Sequence, residues 1–435
     1  MNIPFVRHTL GNGLDVLLHE DRSCPIVSVN LWYHVGSKNE RPGHTGFAHL
    51  FEHLMFEGSQ HHDSGYFHPL QGAGASLNGS TNADRTNYWE VVPTNALELA
   101  LWMESDRMAF LLPALTEAKF SNQRDVVLNE RRQNYENRPY GLAPMAMLAA
   151  LFPPDHPYHW TTIGEIADLR AVQLDEVRQF FSTYYHPANA SLALAGDIDA
   201  DEALALARRY FEEIPPGAPV APVTPVPPRL DTEVRLLLED RVELPRLYVS
   251  WLTSAMFAEG DADLDLAADI LANGKTSRLY KRLVFDQRIA TDVSASQNSR
   301  EIGGFVQVAA TAAPGHSLEE IDQVIGEEIA RLALDGPTDD EIARGRVQAE
   351  AQFIFRLQTV GGFGGKSDQL NAYNVFLDDP AFFDRDLARY RAVTKASLGE
   401  AMARYLDHDR RVALSVVPRG RTALGLPRST PAVVS

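Results

Sequence analysis

The sequence is poor in cysteine, with Cys24 as the only one among 435 residues. No disulfide can form within the chain, so the fold is not a disulfide scaffold, and any metal site must use histidine and carboxylate ligands. The sequence also lacks an apolar run of about 18 residues, which a transmembrane helix requires. We therefore expect no membrane-spanning segment.

The first residues, Met1 to His8, lack the basic-then-apolar pattern of a signal peptide. We therefore expect a soluble, cytoplasmic protein, or a periplasmic one if a signal peptide has been removed. Positive charge is also scarce, because 40 Lys and Arg face 58 Asp and Glu, for a net charge of −18. Nucleic-acid binding relies on neutralising phosphates with Lys and Arg, so this balance argues against a nucleic-acid partner.

Proline is concentrated at the middle of the chain, where residues 214–228 read IPPGAPVAPVTPVPP. Such a segment cannot continue a helix or a central strand, so we expect a semi-rigid connector. The predicted organisation is an N-terminal domain over 1–214, a linker over 215–229 and a C-terminal domain over 230–435.

The two halves resemble each other in sequence. The run LLHEDR at residues 17–22 recurs as LLLEDR at 236–241, and an apolar, strand-like run follows each copy. The two copies begin at residues 17 and 236, on either side of the proline-rich segment. A repeat of this kind across a central linker indicates an internal duplication. Strand-like runs alternate with helical ones in each half, so the predicted fold is α+β, with two homologous sandwiches of an antiparallel-rich sheet and helices on one face.

The motif that carries chemistry is His-x-x-Glu-His, formed by His49, Glu52 and His53 within a predicted helix between Thr45 and Gly58. Residues four apart lie on one helical face, so the two imidazoles can bind one zinc ion. Glu52 projects beside the same face, where a carboxylate can take a proton from a metal-activated water molecule. This arrangement is the inverted zincin motif.

Catalytic zinc usually has three protein ligands, and Glu130 is the candidate for the third. It follows His53 after 76 intervening residues and lies in a predicted helix over 116–135. We expect the flanking Arg131 and Arg132 to face solvent.

These motifs resemble the signature of the insulinase/pitrilysin family of metallopeptidases. The likeness extends to Asn129-Glu130-Arg131-Arg132, to Asn78-Gly79-Ser80-Thr81 and through the duplication, so it covers nearly the whole chain. The length is similar to that of the short branch, which includes mitochondrial processing peptidases and bacterial two-subunit peptidases.

The resemblance implies a zinc-dependent endopeptidase with one Zn²⁺ per chain, held by His49, His53 and Glu130, with Glu52 as the general base. The segment 75–80 matches an edge strand that pairs with an extended peptide substrate, so Asn78, Gly79 and Ser80 are the implied substrate-binding residues. Many relatives carry a second acid seven residues before the third ligand, and that position is Gln123 here.

The resemblance also implies a partner. In the family, an Arg and a Tyr from the second half of a paired unit help to bind substrate and to stabilise the oxyanion. The matching positions here are Val284 and Thr291, with Arg282 nearby as a possible substitute. The chain is therefore predicted to be the zinc-bearing subunit of a heterodimer whose homologous partner supplies the Arg and Tyr, the two together enclosing a clam-like chamber for unfolded peptides.

Two other readings are open at this stage. The chain could be a non-catalytic scaffold subunit of a larger complex, although the intact His49, Glu52, His53 and Glu130 argue against decay. A zinc hydrolase that does not act on peptides would share the same motif, but the edge-strand segment would then have no explanation.

Overall fold

The computed structural model describes residues 2–434. The strands of the first half are β1 (Val6–Thr9), β2 (Asp15–Glu20), β3 (Ile26–Tyr33), β4 (Ser76–Thr81), β5 (Thr86–Pro93) and β6 (Ala190–Gly196). Its helices are α1 (Phe47–Leu54), α2 (Phe67–Gly72), α3 (Leu97–Ala114), α4 (Glu117–Arg131), α5 (Ala143–Leu151), α6 (Ile166–Ala171), α7 (Leu174–Tyr184) and α8 (Ala200–Phe211). Helix α4 continues into a π-helical turn over Arg132–Glu136.

The second half repeats this mixture. Its strands are β7 (Val234–Asp240), β8 (Arg246–Thr253), β9 (Ala290–Asn298), β10 (Gly304–Ala312), β11 (Val412–Pro418) and β12 (Thr430–Pro431). Its helices are α9 (Asp261–Ala272), α10 (Leu318–Asp335), α11 (Asp339–Arg356), α12 (Lys366–Leu377), α13 (Phe383–Ala392) and α14 (Lys395–Tyr405).

Two six-stranded sheets form, with strand orders β1-β2-β6-β3-β5-β4 and β12-β7-β11-β8-β10-β9. Most neighbours are antiparallel, but β2 runs parallel to β6, and β7 runs parallel to β11 at the same place in the second sheet. The outer strands differ, because β1 is antiparallel to β2 whereas β12 is parallel to β7. The repeated sequence runs noted above lie on β2 and β7. The order β2-β6-β3-β5-β4 recurs as β7-β11-β8-β10-β9, and this shared order with its parallel pair confirms the predicted α+β class with two homologous halves.

Strand β3 illustrates how the sequence produces the first sheet. The run Ile26–Tyr33 is rich in β-branched and aromatic residues, and all of it except Ile26 is buried. Its neighbours β6 and β5 pair with it along its length, which makes it a central strand. A central strand that is covered on both faces needs a nearly continuous apolar run, with its few polar side chains satisfied by partners.

Those partners come from α12, which packs across β3 and β6. The polar side chains of β3 alternate along the strand and face this helix. Asp368 accepts hydrogen bonds from Trp32 Nε1 at 2.9 Å and from Asn30 Nδ2 at 3.3 Å, and Ser28 Oγ lies 2.9 Å from Ser367 Oγ. A polar sheet face is thus buried without leaving these groups unpaired.

The chain separates into two compact units. The first comprises Met1–Asn129, Thr161–Val223 and Ala351–Arg385, and the second comprises Glu130–Trp160, Thr224–Glu350 and Asp386–Ser435. Each unit contains one sheet and one helix from the other half of the sequence, α12 in the first unit and α5 in the second. Helix α5 packs on β11 and β8, the strands equivalent to those that α12 covers.

The proline-rich segment has no regular secondary structure from 215 to 230, as its composition predicts. The predicted domain limits of 1–214 and 230–435 stay predictions. Across residues 2–434, none of the helices is both long enough and apolar enough to span a lipid bilayer.

Candidate metal centre

Helix α1 carries His49, Glu52 and His53. It is shorter than the predicted span, because it begins at Phe47 and ends at Leu54 rather than at Gly58. The rings of His49 and His53 lie one helical turn apart, with centroids separated by 4.8 Å. Both imidazoles are half-buried, as is Glu52.

The start of α1 is fixed by a buried carboxylate. Gly46 adopts a left-handed conformation with φ of 87°, and a Cβ there would lie 2.9 Å from the carbonyl oxygen of Ile163. Glu40 then accepts hydrogen bonds from the backbone N–H groups of Gly46 and Ala48, each at 2.9 Å. An acceptor at this position satisfies amides that the helix itself leaves unpaired and complements the helix dipole. Glu40 thereby orients the helix that carries the motif.

The opposite face of α1 is apolar and packs against α7. Phe51 is fully buried, and its ring lies 5.8 Å from that of Phe180 and 5.2 Å from that of Tyr185. Because this face is held by close packing, the polar face has a defined direction. The two histidines and Glu52 therefore project from a rigid element.

The end of α4 brings Glu130 to this face. One ligand atom each from His49, His53 and Glu130 lie within 4.8 Å of one another, and all three side chains are half-buried. Two imidazoles and one carboxylate form a donor set that zinc accepts, and three protein ligands leave a fourth position open, as in catalytic zinc sites. Within residues 2–434, these three side chains form the one such group of histidine, cysteine and acidic residues that could hold a metal ion.

Glu130 has partners that orient it. Asn134, one turn further along the chain, donates from Nδ2 to Glu130 Oε1 at 3.2 Å. Burial, and then the charge of Glu130, raise the pKa of Tyr135. Outer contacts of this kind fix the direction of a ligand side chain.

The expectation that Arg131 faces solvent is wrong, whereas Arg132 is exposed as predicted. Arg131 is 1% exposed and lies 3.5 Å from Glu136, with its Nη2 3.6 Å from the sulfur of Met145. The residue next to a ligand on a helix points about 100° away from it. Here that direction leads into packed protein rather than into solvent.

Strand β4 lies at the edge of the first sheet, paired with β5 on one side. It contains Asn78, Gly79 and Ser80, the implied substrate-binding residues. Asn78 is exposed, whereas Gly79 is buried against Phe56 and Tyr88, 3.1 Å from where a Cβ would lie. The glycine thus allows the strand to lie close to the segment that follows α1.

Arg85 is bound to this edge strand, and the sequence analysis did not identify it. Its Nη1 donates to the Ser80 carbonyl oxygen at 2.9 Å, and its guanidinium lies 5.0 Å from the ring centre of Trp32. Burial lowers the pKa of Arg85, and the charges of Asp368 and Glu52 oppose that shift. Glu52 is therefore close enough to Arg85 to interact with its positive charge.

A buried ion pair lies beneath the same region. Arg107 and Glu104 on α3 are hydrogen bonded through two contacts, one of 2.9 Å. The Arg107 guanidinium lies 4.0 Å from the ring centre of Tyr66 and 4.2 Å from that of Tyr88. Burial, and then the charge of Glu104, raise the pKa of Glu90 well above its usual range.

The chain is similar to proteins that are named as zinc proteases. Residues 15–155 match the family model of insulinase, peptidase family M16, and residues 171–348 match the model described as the peptidase M16 inactive domain. The chain is 27% identical over 362 residues to the zinc protease PqqE of Helicobacter pylori, covering 82% of this chain and 81% of PqqE. It is 29% identical over 347 residues to an uncharacterized zinc protease of Mycobacterium leprae, covering 79% of this chain and 77% of that protein.

Solved structures agree in fold. A protease from H. pylori superposes with a TM-score of 0.88 at 24% identity, covering 96% of this chain and all of that one. The periplasmic protease PqqL from Escherichia coli superposes with a TM-score of 0.78 at 18% identity, and this chain covers half of it. The chain belongs to the insulinase/pitrilysin family, peptidase family M16.

Proposed function

We propose that this protein is a zinc-dependent endopeptidase that hydrolyses short, unfolded peptides. The observation that carries the proposal is the convergence of ligand atoms from His49, His53 and Glu130 within 4.8 Å, next to Glu52 on the same helix. The relatives named as zinc proteases support it.

His49, His53 and Glu130 are the proposed ligands. When bound, zinc supplies Lewis-acid polarisation of the substrate carbonyl and lowers the pKa of water. Glu52 takes the proton of the attacking water molecule and passes it to the leaving amine. Asn134 keeps the Glu130 carboxylate turned towards the two imidazoles.

The substrate is proposed to bind by adding a strand to the free edge of β4. Main-chain hydrogen bonds would hold an extended peptide without reading its sequence, so selection would favour unfolded chains. Ser80 is held by Arg85 and by Asn87, whose Oδ1 accepts from Ser80 Oγ at 2.7 Å. The edge is thus pre-organised to receive a peptide, and Asn78 is exposed to contact it.

A homologous partner subunit is proposed to complete the site. Val284 lies in the π-helical segment Tyr280–Asp286, and Thr291 is an exposed residue near the start of β9. Arg282, the possible substitute, is bound to Glu328 at 2.8 Å and also to Glu327, so it is held by other charges. The match to half of PqqL is consistent with a unit that needs a second half of similar fold.

The central experiment replaces Glu52 by Gln and measures both bound zinc and peptide turnover. We expect one zinc per chain in the parent and in the variant, with turnover reduced about 100- to 10,000-fold in the variant. His53→Ala should lose the metal, whereas His62→Ala, in a loop outside the site, should retain it. Unchanged turnover of Glu52→Gln would remove this residue from its role.

The partner proposal is tested separately, by activity of the purified chain and by co-purification from the native cell. We expect weak turnover alone and strong turnover after adding a homologous chain that carries the Arg and Tyr. Strong turnover by a verified monomer would refute the need for a partner. Cytoplasmic location stays a prediction; PqqL is described as periplasmic.

A second candidate is a non-catalytic subunit. Residues 171–348 match a model described as an inactive domain. The repeated runs start at residues 17 and 236, an offset of 236 − 17 = 219, and at this offset His49, Glu52 and His53 correspond to Ala268, Leu271 and Ala272, all buried on α9. This feature accounts for one half only and favours one metal per chain. Absence of zinc from a careful preparation, with no rescue on adding zinc, would favour the non-catalytic role.

A further inference from the structure

Helix α4 presents one face to the segment that contains the motif. Lys119, Gln123, Val127 and Glu130 are spaced four, four and three residues apart, so they form a stripe along one side of the helix. Val127 is fully buried, Gln123 and Glu130 are half-buried, and Lys119 forms an ion pair with Asp63. The stripe therefore faces protein along its length.

The contacts along this stripe run in antiparallel order. The candidate ligand atoms of Glu130 and His53 lie within 4.8 Å of each other. Seven residues before Glu130, Gln123 donates a hydrogen bond from Nε2 to Glu57 Oε1. Glu57 follows His53 by four residues, and its backbone N–H bonds to the Leu54 carbonyl oxygen at 3.1 Å, continuing the turn beyond α1. The two segments thus meet at the candidate metal ligands, at Glu57 and Gln123, and at the Lys119–Asp63 ion pair.

The chemistry of this second contact is specific. The amide belongs to Gln123 on α4, and the carboxylate belongs to Glu57 on the other segment. The amide N–H donates to the carboxylate, and such bonds to a charged group are stronger than neutral ones. Two acids at this contact would repel each other, so the amide at 123 and the acid at 57 are complementary.

We propose that Glu57 and Gln123 are a positioning pair, which sets the register of α4 against α1 so that Glu130 stays within ligand reach of His49 and His53. The inference rests on the proposed zinc-binding function and deepens it. The pair sits closer to the ligands than the Lys119–Asp63 pair, whose aspartate is 58% exposed and contributes little.

The pair has a direct structural reason to matter. Helix α4 ends at Arg131 and continues with π-helical geometry over Arg132–Glu136, so Glu130 lies in the last regular turn. A contact two turns earlier on the same face fixes both the rotation and the axial position of that turn. Removing outer contacts that orient a metal ligand typically lowers metal affinity about 10- to 100-fold.

The test is a charge-swap cycle on the full chain, read out as zinc affinity by competition with a chromophoric chelator. The variants are Glu57→Gln, Gln123→Glu and the double swap, which restores one amide and one carboxylate in reversed positions. Asp125→Asn, on an exposed position of α4, is the matched control for loss of one negative charge. The absorption spectrum of bound Co²⁺ reports whether the ligand geometry is retained.

We expect Glu57→Gln and Gln123→Glu each to weaken zinc binding about 10-fold, the control to bind as the parent does, and the double swap to recover most of the loss. Zinc affinity of Glu57→Gln equal to that of the parent would overturn the proposal, as would a double swap as weak as the single variants. A parent chain that binds no zinc would instead overturn the proposed function, and this inference with it.

Discussion

Replacement of Arg107 by Met should be among the most damaging single changes in the first unit. The side chains of Arg107 and Glu104 are 1% and 0% exposed. Burial lowers the pKa of Arg107, but the Glu104 carboxylate more than offsets this effect, so the pKa of Arg107 is raised. Methionine fills a similar volume but leaves the Glu104 carboxylate buried without its cation. Breaking one partner of a buried pair in this way costs about 3 to 5 kcal/mol of unfolding free energy.

The loss of unfolding free energy in Arg107→Met should come from the buried Glu104 carboxylate without its cation, rather than from lost packing. The double variant Glu104→Gln with Arg107→Met removes both charges, so we expect it to be more stable than Arg107→Met alone by about 2 kcal/mol. The assay is urea unfolding of the zinc-free protein at pH 7. A double variant no more stable than the single one would refute this reasoning.

Three further predictions concern the site and the second unit. Glu40→Ala should lower the unfolding free energy by about 1 to 3 kcal/mol and weaken zinc binding, because it leaves two amides at the start of α1 without their acceptor. Calorimetry measures the change in stability, and chelator competition measures the change in zinc affinity. Asn134→Ala should weaken zinc binding about 10-fold, measured against the unchanged affinity of an exposed variant such as Asp125→Asn, because Glu130 loses an orienting donor. Burial raises the pKa of Asp265 to about 7, so folding favours its protonated form and stability from this group is lost as the pH rises from about 4 to 7. The stability of Asp265→Asn relative to the parent should therefore increase with pH over that range, and denaturant unfolding at pH 5 and pH 8 that shows a constant difference would contradict it.

The sequence alone determined the place of some strands, the chemistry of α1 and the duplication. A strand-like run was predicted after each copy of the repeated run, and β3 (Ile26–Tyr33) and β8 (Arg246–Thr253) lie at these places. His49, Glu52 and His53 could be read directly, because residues four apart share a helical face whatever the tertiary fold. The repeated run on β2 and β7 indicated the duplication, and the matching strand orders confirm it.

Only the tertiary structure decided which distant side chains meet. A spacing of 76 residues cannot by itself bring Glu130 to the histidines, and their roles as metal ligands stay a prediction. The same limit applies to the contact of Arg85 with Trp32 and to the Glu57–Gln123 contact, because each depends on the packing of elements far apart in the chain. Arg131 shows this limit most directly. In the sequence it stands beside Arg132 and is expected to be solvated in the same way. On a helix, however, neighbouring side chains point about 100° apart, and the direction of Arg131 leads into packed protein.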